Sequence, residues 1–222
     1  VAAHIKPDDC HFARSRLLCL ENTHNGKVLP MDYLAQARQF TRTNGLKLHL
    51  DGARVFNAAV KLGVDVRQIT DCFDSVSCCL SKGLGAPIGS VLAGDRPLID
   101  EARKWRKMLG GGMRQAGFLA AAGQYALTRH VDRLTLDHQH ARQLAENLSG
   151  IPEINIDPAQ VQTNILFADF QTDMTSLADF LTSRGILIST ASPCRMVTHL
   201  DISEKDIETV TQAIKDFYSS AE

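Results

Sequence analysis

The sequence predicts an α/β protein with a mainly parallel sheet, followed by a small α+β unit at its carboxyl end. Three observations carry this. Short apolar runs of strand length alternate with helical-period segments across residues 16–94. Two of those runs end in chemistry-bearing residues, Leu46–Leu50 in Asp51-Gly52-Ala53-Arg54 and Ser75–Leu80 in Ser81-Lys82-Gly83-Leu84-Gly85. Asp51 and Lys82 lie 31 positions apart, room for one strand–helix–strand unit. In open α/β sheets the carboxyl ends of the strands are where ligands bind. Beyond about residue 130 the texture changes to helices mixed with isolated strands, so the division expected is 1–130 and 131–222.

Each element follows from local pattern. Arg16–Leu20 is a short apolar run that stops at the polar loop Glu21–Gly26. Met31 to Asn44 spaces Tyr33, Leu34, Ala37 and Phe40 as a helix does, with Gly45 closing it. Strand 46–50, a helix over 55–62 and strand 75–80 follow. Ser90–Gly94 reads as a strand antiparallel to its predecessor, across a glycine-rich turn. Helices are predicted over 99–108 and 115–127, separated by Gly110-Gly111-Gly112. A long amphipathic helix over 131–148 aligns Leu134, His138, Ala141, Leu144, Ala145 and Leu148 on one face. The last part gives strands at 164–170 and 185–189 and helices at 176–183 and 204–218, with Ser203 as the final N-cap.

Composition narrows the function. With 222 residues, 44% of them hydrophobic, the chain can bury a sizeable core. A net charge of −1 gives no overall field for nucleic acid or anionic membrane. No apolar run approaches the about 20 residues that span a bilayer, and Val1–Pro7 lacks the pattern of a signal peptide. The missing initiator methionine points to a processed or incomplete chain. Six cysteines without a CxxC, several inside apolar strands, point to a reduced, cytoplasmic compartment. Three lures fail. Gly83-x-Gly85-x-x-x-Gly89 has the wrong spacing for a dinucleotide loop, His138 and His140 diverge on a helix, and no metal ligand set emerges.

A lysine leaving a strand end into a small-residue loop can sit in a desolvated pocket, lose proton affinity and attack carbonyls. An aspartate at a neighbouring strand end can hold a heterocyclic nitrogen protonated. Together Lys82 and Asp51 suit pyridoxal 5'-phosphate chemistry. Each has a plainer alternative: an exposed loop lysine for Lys82, and a helix N-cap for Asp51.

Five stretches extend the reading: LENTHNGKVLP at 20–30, LHLDGARVFNA at 48–58, CLSKGLGAPIGS at 79–90, RKMLGGGMRQAG at 106–117 and RMVTHLDI at 195–202. They resemble low-specificity L-threonine aldolases, members of the aspartate-aminotransferase-like (fold type I) class of pyridoxal phosphate enzymes. The resemblance implies that the chain is the carboxyl-terminal two-thirds of such an enzyme. A preceding third would then carry a phosphate-binding turn and a histidine that stacks on the cofactor. It implies that Lys82 is the covalent cofactor lysine and Asp51 the partner of the ring nitrogen. Arg54 and Arg195 become the grip on the substrate carboxylate, against the alternative of surface ion pairs. His11 aligns with a histidine near the substrate hydroxyl, where it would take part in catalysis, although a lone loop histidine is more often simply solvated. Lys107 and Arg114, beside the glycine run, become phosphate ligands reaching a neighbouring subunit, while Arg103 and Lys104 fit a solvated helix face equally well.

The implied reaction is retro-aldol cleavage of L-threonine or L-allo-threonine to glycine and acetaldehyde, in amino-acid metabolism. The implied partners are a small amino acid and further copies of the chain, as a dimer or tetramer with shared sites, without metal, nucleic acid or membrane. Two rivals use the same residues. One is another enzyme of the class, of the serine hydroxymethyltransferase or transaminase kind. The other is an inactive fragment.

Overall fold

A computed structural model describes residues 1–220. Its first sheet contains β1 (Leu17–Glu21), β2 (Lys47–Asp51), β3 (Ser75–Cys79) and β4 (Ser90–Gly94), in that spatial order. β1, β2 and β3 run parallel, and β4 returns antiparallel at the edge. Residues 51 and 79 therefore end neighbouring strands on one rim of the sheet.

The connecting helices are α1 (Met31–Thr43), α2 (Val55–Leu62) and the one-turn α3 (Val66–Thr70), which periodicity did not predict. Strand alternation sends Leu48 and Leu50 into a core with Leu34, Ala37, Val55, Ala58, Ile69 and Val76. Asp74 ties α1 to this sheet, accepting from Arg38 at 2.7 Å and from the Leu48 amide at 2.8 Å. The other face exposes Leu17, Cys19, Glu21, Lys47 and Asp51.

After β4 come α4 (Arg96–Met108), α5 (Gly117–Arg129) and α6 (Leu134–Ser149). α4 begins three residues earlier than its periodicity suggests, because Asp95 caps the Leu98 amide at 3.0 Å and Pro97 suits the first turn. Neither α4 nor the loop after it buries a single residue, and Trp105, Met108, Leu109, Met113 and Phe118 all stand exposed.

The second sheet joins β5 (Ile154–Asn155), β6 (Ile165–Phe170) and β7 (Cys194–Val197), all antiparallel. α6, α7 (Met174–Thr182) and α8 (Glu204–Ser219) complete its core with Leu144, Leu148, Leu166, Leu177, Leu181 and Ile214. Ser203 and Asp206 form a capping box at the start of α8. The strand expected at 185–189 is absent. Ile186 and Ile188 do pack on the core, but β6 already has β5 and β7 on its two edges, so this extended run finds no ladder. The strand forms instead at 194–197.

A third cluster of Leu80, Leu84, Ala86, Ala126 and Leu134 joins the first core through Phe56, and its Leu134 opens α6, whose later turns line the second core. No helix of the described residues is long and apolar enough to cross a membrane, and all six cysteines are free thiols.

Candidate active site

Gly52 explains how the β2 rim is built. Its amide donates to the Ser77 carbonyl at 2.7 Å, and a Cβ there would lie 2.9 Å from that oxygen, so only glycine lets the chain turn so close to β3. Asp51, one residue earlier, accepts from the Ala53 amide at 3.0 Å. This is a local turn rather than the helix N-cap considered above, since α2 starts at Val55 with Arg54 in the cap position. The remaining carboxylate surface of Asp51 is exposed.

Lys82 leaves β3 on the same rim. A cavity of about 430 Å³ is lined by Arg54, Ser81, Lys82, Gly83, Asn164, His199 and Asp201, among others. It lies between the two sheets: Lys82 and Arg54 come from the first, and Asn164, Val197 and His199 from the second. One expectation needs correction. Lys82 is exposed, not desolvated, because the cavity is open on one side and none of the described residues closes over the amine.

Arg54 is half-buried, and its Nε is buried with no hydrogen-bond partner. Burial, and next the positive charge of Arg195, push its pKa below the ordinary guanidinium value, against Glu21, Cys79 and Asp51, which raise it. Arg195 does not line the cavity, but on β7 it shares a face with Val197, which does. Two guanidiniums within electrostatic reach of each other, one with a buried unpaired N–H, call for an anion.

The wall opposite is stiff. Thr198 donates its hydroxyl to the Asp137 carbonyl at 2.6 Å, and Asn164 donates its amide to the Thr198 carbonyl at 3.0 Å. Asp137, fully buried on α6, pairs with Arg133 at 2.6 Å. The loop after β1 is stitched to this unit as well, with Thr163 donating to the Gly26 carbonyl at 2.6 Å and Lys27 to Gln160 at 2.8 Å.

Other predicted residues lie elsewhere. His11 is 82% exposed and outside the cavity, with its Nδ1 2.7 Å from Asp9 Oδ1. Asp9, Cys10 and His11 do cluster, but all three are exposed and the imidazole Nδ1 is already taken by Asp9. Lys107 and Arg114 are exposed on the arm formed by α4 and its loop, outside the cavity. Asn164 and His199 were missed as site residues. His199 lies inside the stretch 195–202 quoted for the resemblance, so a signal existed; Asn164 offered none beyond the start of a strand.

The donor set fits a pyridoxal cofactor. A free amine and an exposed carboxylate leave adjacent strand ends, and a buried guanidinium N–H waits unpartnered beside them.

A mainly parallel sheet carrying lysine, aspartate and arginine on its carboxyl rim defines an α/β protein with its candidate ligand site at the carboxyl ends of the strands. The fold is shared with a solved Leishmania major threonine aldolase, which has a TM-score of 0.77 at 20% identity over 94% of this chain and 63% of that one. The chain belongs to the beta-eliminating lyase family, which matches residues 1–171. It is 51% identical to the low specificity L-threonine aldolase of Escherichia coli K12, over 95% of this chain and 62% of the relative. It is 42% identical to low-specificity L-threonine aldolase 1 of Arabidopsis thaliana, over 88% of this chain and 57% of the relative. The chain thus spans less than two thirds of these relatives' length.

Proposed function

We propose that this chain supplies the lysine, the acid and the arginines of an L-threonine aldolase acting with pyridoxal 5'-phosphate. The cavity that unites Lys82 with Arg54 is the observation that supports it most. When bound, the cofactor supplies an electron sink for the pair released at the substrate Cα.

The residues divide the remaining work. Lys82 offers a primary amine on a flexible stem, able to hold the cofactor and to yield it to the substrate amine. Asp51 would hold the ring nitrogen, its negative charge favouring the protonated form. Arg54 and Arg195 take the substrate carboxylate, whose charge relieves the guanidinium–guanidinium repulsion. Holding both amine and carboxylate would fix the rotation about the N–Cα bond, and that orientation selects the bond to be broken. His11, which this chain leaves in solvent outside the cavity, is proposed to steer or accept the β-hydroxyl proton in the assembled enzyme. Its Nδ1–H is held by Asp9, which leaves Nε2 as the acceptor.

The exposed apolar run Trp105, Met108, Leu109, Met113 and Phe118 supports a homo-oligomer in which Lys107 and Arg114 reach a neighbouring subunit's cofactor phosphate. The two cores support a division near residue 130, and the six free thiols suit a reducing compartment such as the cytoplasm.

The test is Lys82→Ala. The cofactor's visible absorbance and the release of glycine and acetaldehyde, assayed without keto acid or folate, are both expected to vanish. Retained absorbance and turnover remove Lys82 from the mechanism.

A further inference from the structure

The loop that carries Lys82 is held from behind by groups outside the cavity. Gly83, Gly85 and Gly89 would leave such a loop floppy by themselves. Within it, the Gly85 amide donates to the Lys82 carbonyl at 2.8 Å, and the Ala86 amide to the Leu80 carbonyl at 2.9 Å. Two side chains from other elements complete the hold.

His130, at the end of α5, donates Nδ1–H to the Leu84 carbonyl at 2.6 Å. Tyr125 packs against its ring in a T-shaped contact, with centroids 5.4 Å apart. Asn57 is 2% exposed, on α2. Its amide Nδ2 donates to His138 Nε2 on α6 at 3.1 Å, which turns its Oδ1 toward the loop. A Cβ at Gly83 would fall 3.4 Å from that Oδ1 and 2.9 Å from Leu134. At Gly85 a Cβ would fall 3.1 Å from Leu200 and 3.6 Å from His130 Nδ1. The backbone that follows Lys82, from Gly83 to Gly85, therefore rests on His130 and packs against the Asn57–His138 pair.

We propose that His130 and Asn57 are positioning residues for Lys82, holding the Gly83–Gly85 backbone so that the amine leaves β3 toward the cavity. This rests on Lys82 being the cofactor lysine. A hydrogen bond from His130 to a carbonyl two residues away restricts the direction of the Lys82 stem without touching the amine. The role is orientation, not proton transfer.

The full chain is mixed with pyridoxal 5'-phosphate, and the rate at which borohydride reduction labels Lys82 is read by mass spectrometry. Hydrogen exchange at the Gly85 and Ala86 amides is read on the cofactor-free chain. His130→Leu is expected to slow labelling about tenfold and to speed exchange by a similar factor, the size of one lost hydrogen bond, and Asn57→Ala, which removes packing behind Gly83, to move both in the same direction by a smaller factor. His130→Asn, which keeps an N–H near the Nδ1 position, is expected to recover most of both. Circular dichroism checks folding, and His130→Ala replaces the leucine variant if that one does not fold. Unchanged labelling and exchange overturn the proposal, as does His130→Asn behaving as poorly as His130→Leu. If the unaltered chain is labelled on another lysine, the functional reading falls, while the exchange data still decide whether these side chains hold the loop.

Discussion

Two glycine-rich loops carry candidate cations, and the chain treats them in opposite ways. The loop after β3, bearing Lys82, buries Leu84 and Ala86 and is pinned by His130, Asn57 and Leu134. The loop after α4, flanked by Lys107 and Arg114, leaves Leu109 81% and Met113 62% exposed. The first loop is finished by this polypeptide. The second presents basic and apolar side chains that none of the described residues covers. Glycine content thus says little about rigidity; what the neighbouring atoms do decides it.

The sharpest way to break this contrast is to cut the support beneath the first loop. Leu134→Ala empties a fully buried site and is expected to cost about 2–5 kcal/mol in denaturant unfolding. If it costs no more than a surface change, the third cluster is not what holds the loop. Next comes the pair of glycines. Gly83→Ala drives a methyl into Leu134 and Asn57 and is expected to cost about 1–3 kcal/mol. Gly112→Ala meets only the flexible Lys107 stem, at 2.8 Å, and should cost under about 0.5 kcal/mol. Equal costs would erase the distinction between the loops.

A smaller effect depends on pH. Burial, and then the charge of Lys61, lowers the His138 pKa to about 4 from 6.5. Arg142 and Glu146 share the groove beside it, and Asn57 donates to it. Between pH 6.5 and 4 the unfolded imidazole binds a proton that the folded one refuses. Stability from this group is therefore full above about pH 6.5 and declines as pH falls toward 4. Allowing for its partial exposure, the loss is expected to be about 1–2 kcal/mol. It is read as the difference between the unaltered chain and His138→Gln in urea melts across that range. A difference that does not change with pH shows that the imidazole is not buried as described. The smallest effect is expected on the arm. Leu109→Ser should shift stability by less than about 0.5 kcal/mol in either direction, and a larger loss would reveal packing there.

Legibility followed range along the chain. Helix 31–43 and helix 55–62 were readable because their apolar spacing and glycine caps are local facts. Strands β2 and β3 were readable because their apolar residues cluster over five or six positions. The strand at 194–197 was not, since whether Ile186–Ile188 or Cys194–Val197 pairs with β6 depends on which run reaches a free edge. In the site, Asp51 and Lys82 announced themselves by their place after apolar runs. Asn164 and His199 did not, because their membership of the cavity comes from a sheet folded against the first one. His11 shows the reverse: its sequence position suggested a partner of the substrate, yet the chain leaves it in solvent beside Asp9.

By itself the sequence determined the alternation of strands and helices, the rim on which Asp51 and Lys82 sit, and the family resemblance, since all of these depend on neighbours a few residues apart. Only the tertiary structure decided which wall faces Lys82, that Arg54 keeps a buried N–H unpaired, and that the Lys82 loop is braced while the Lys107–Arg114 loop is bare. Those outcomes come from contacts between residues tens of positions apart, where packing and hydrogen-bond geometry, rather than local preference, choose the partner.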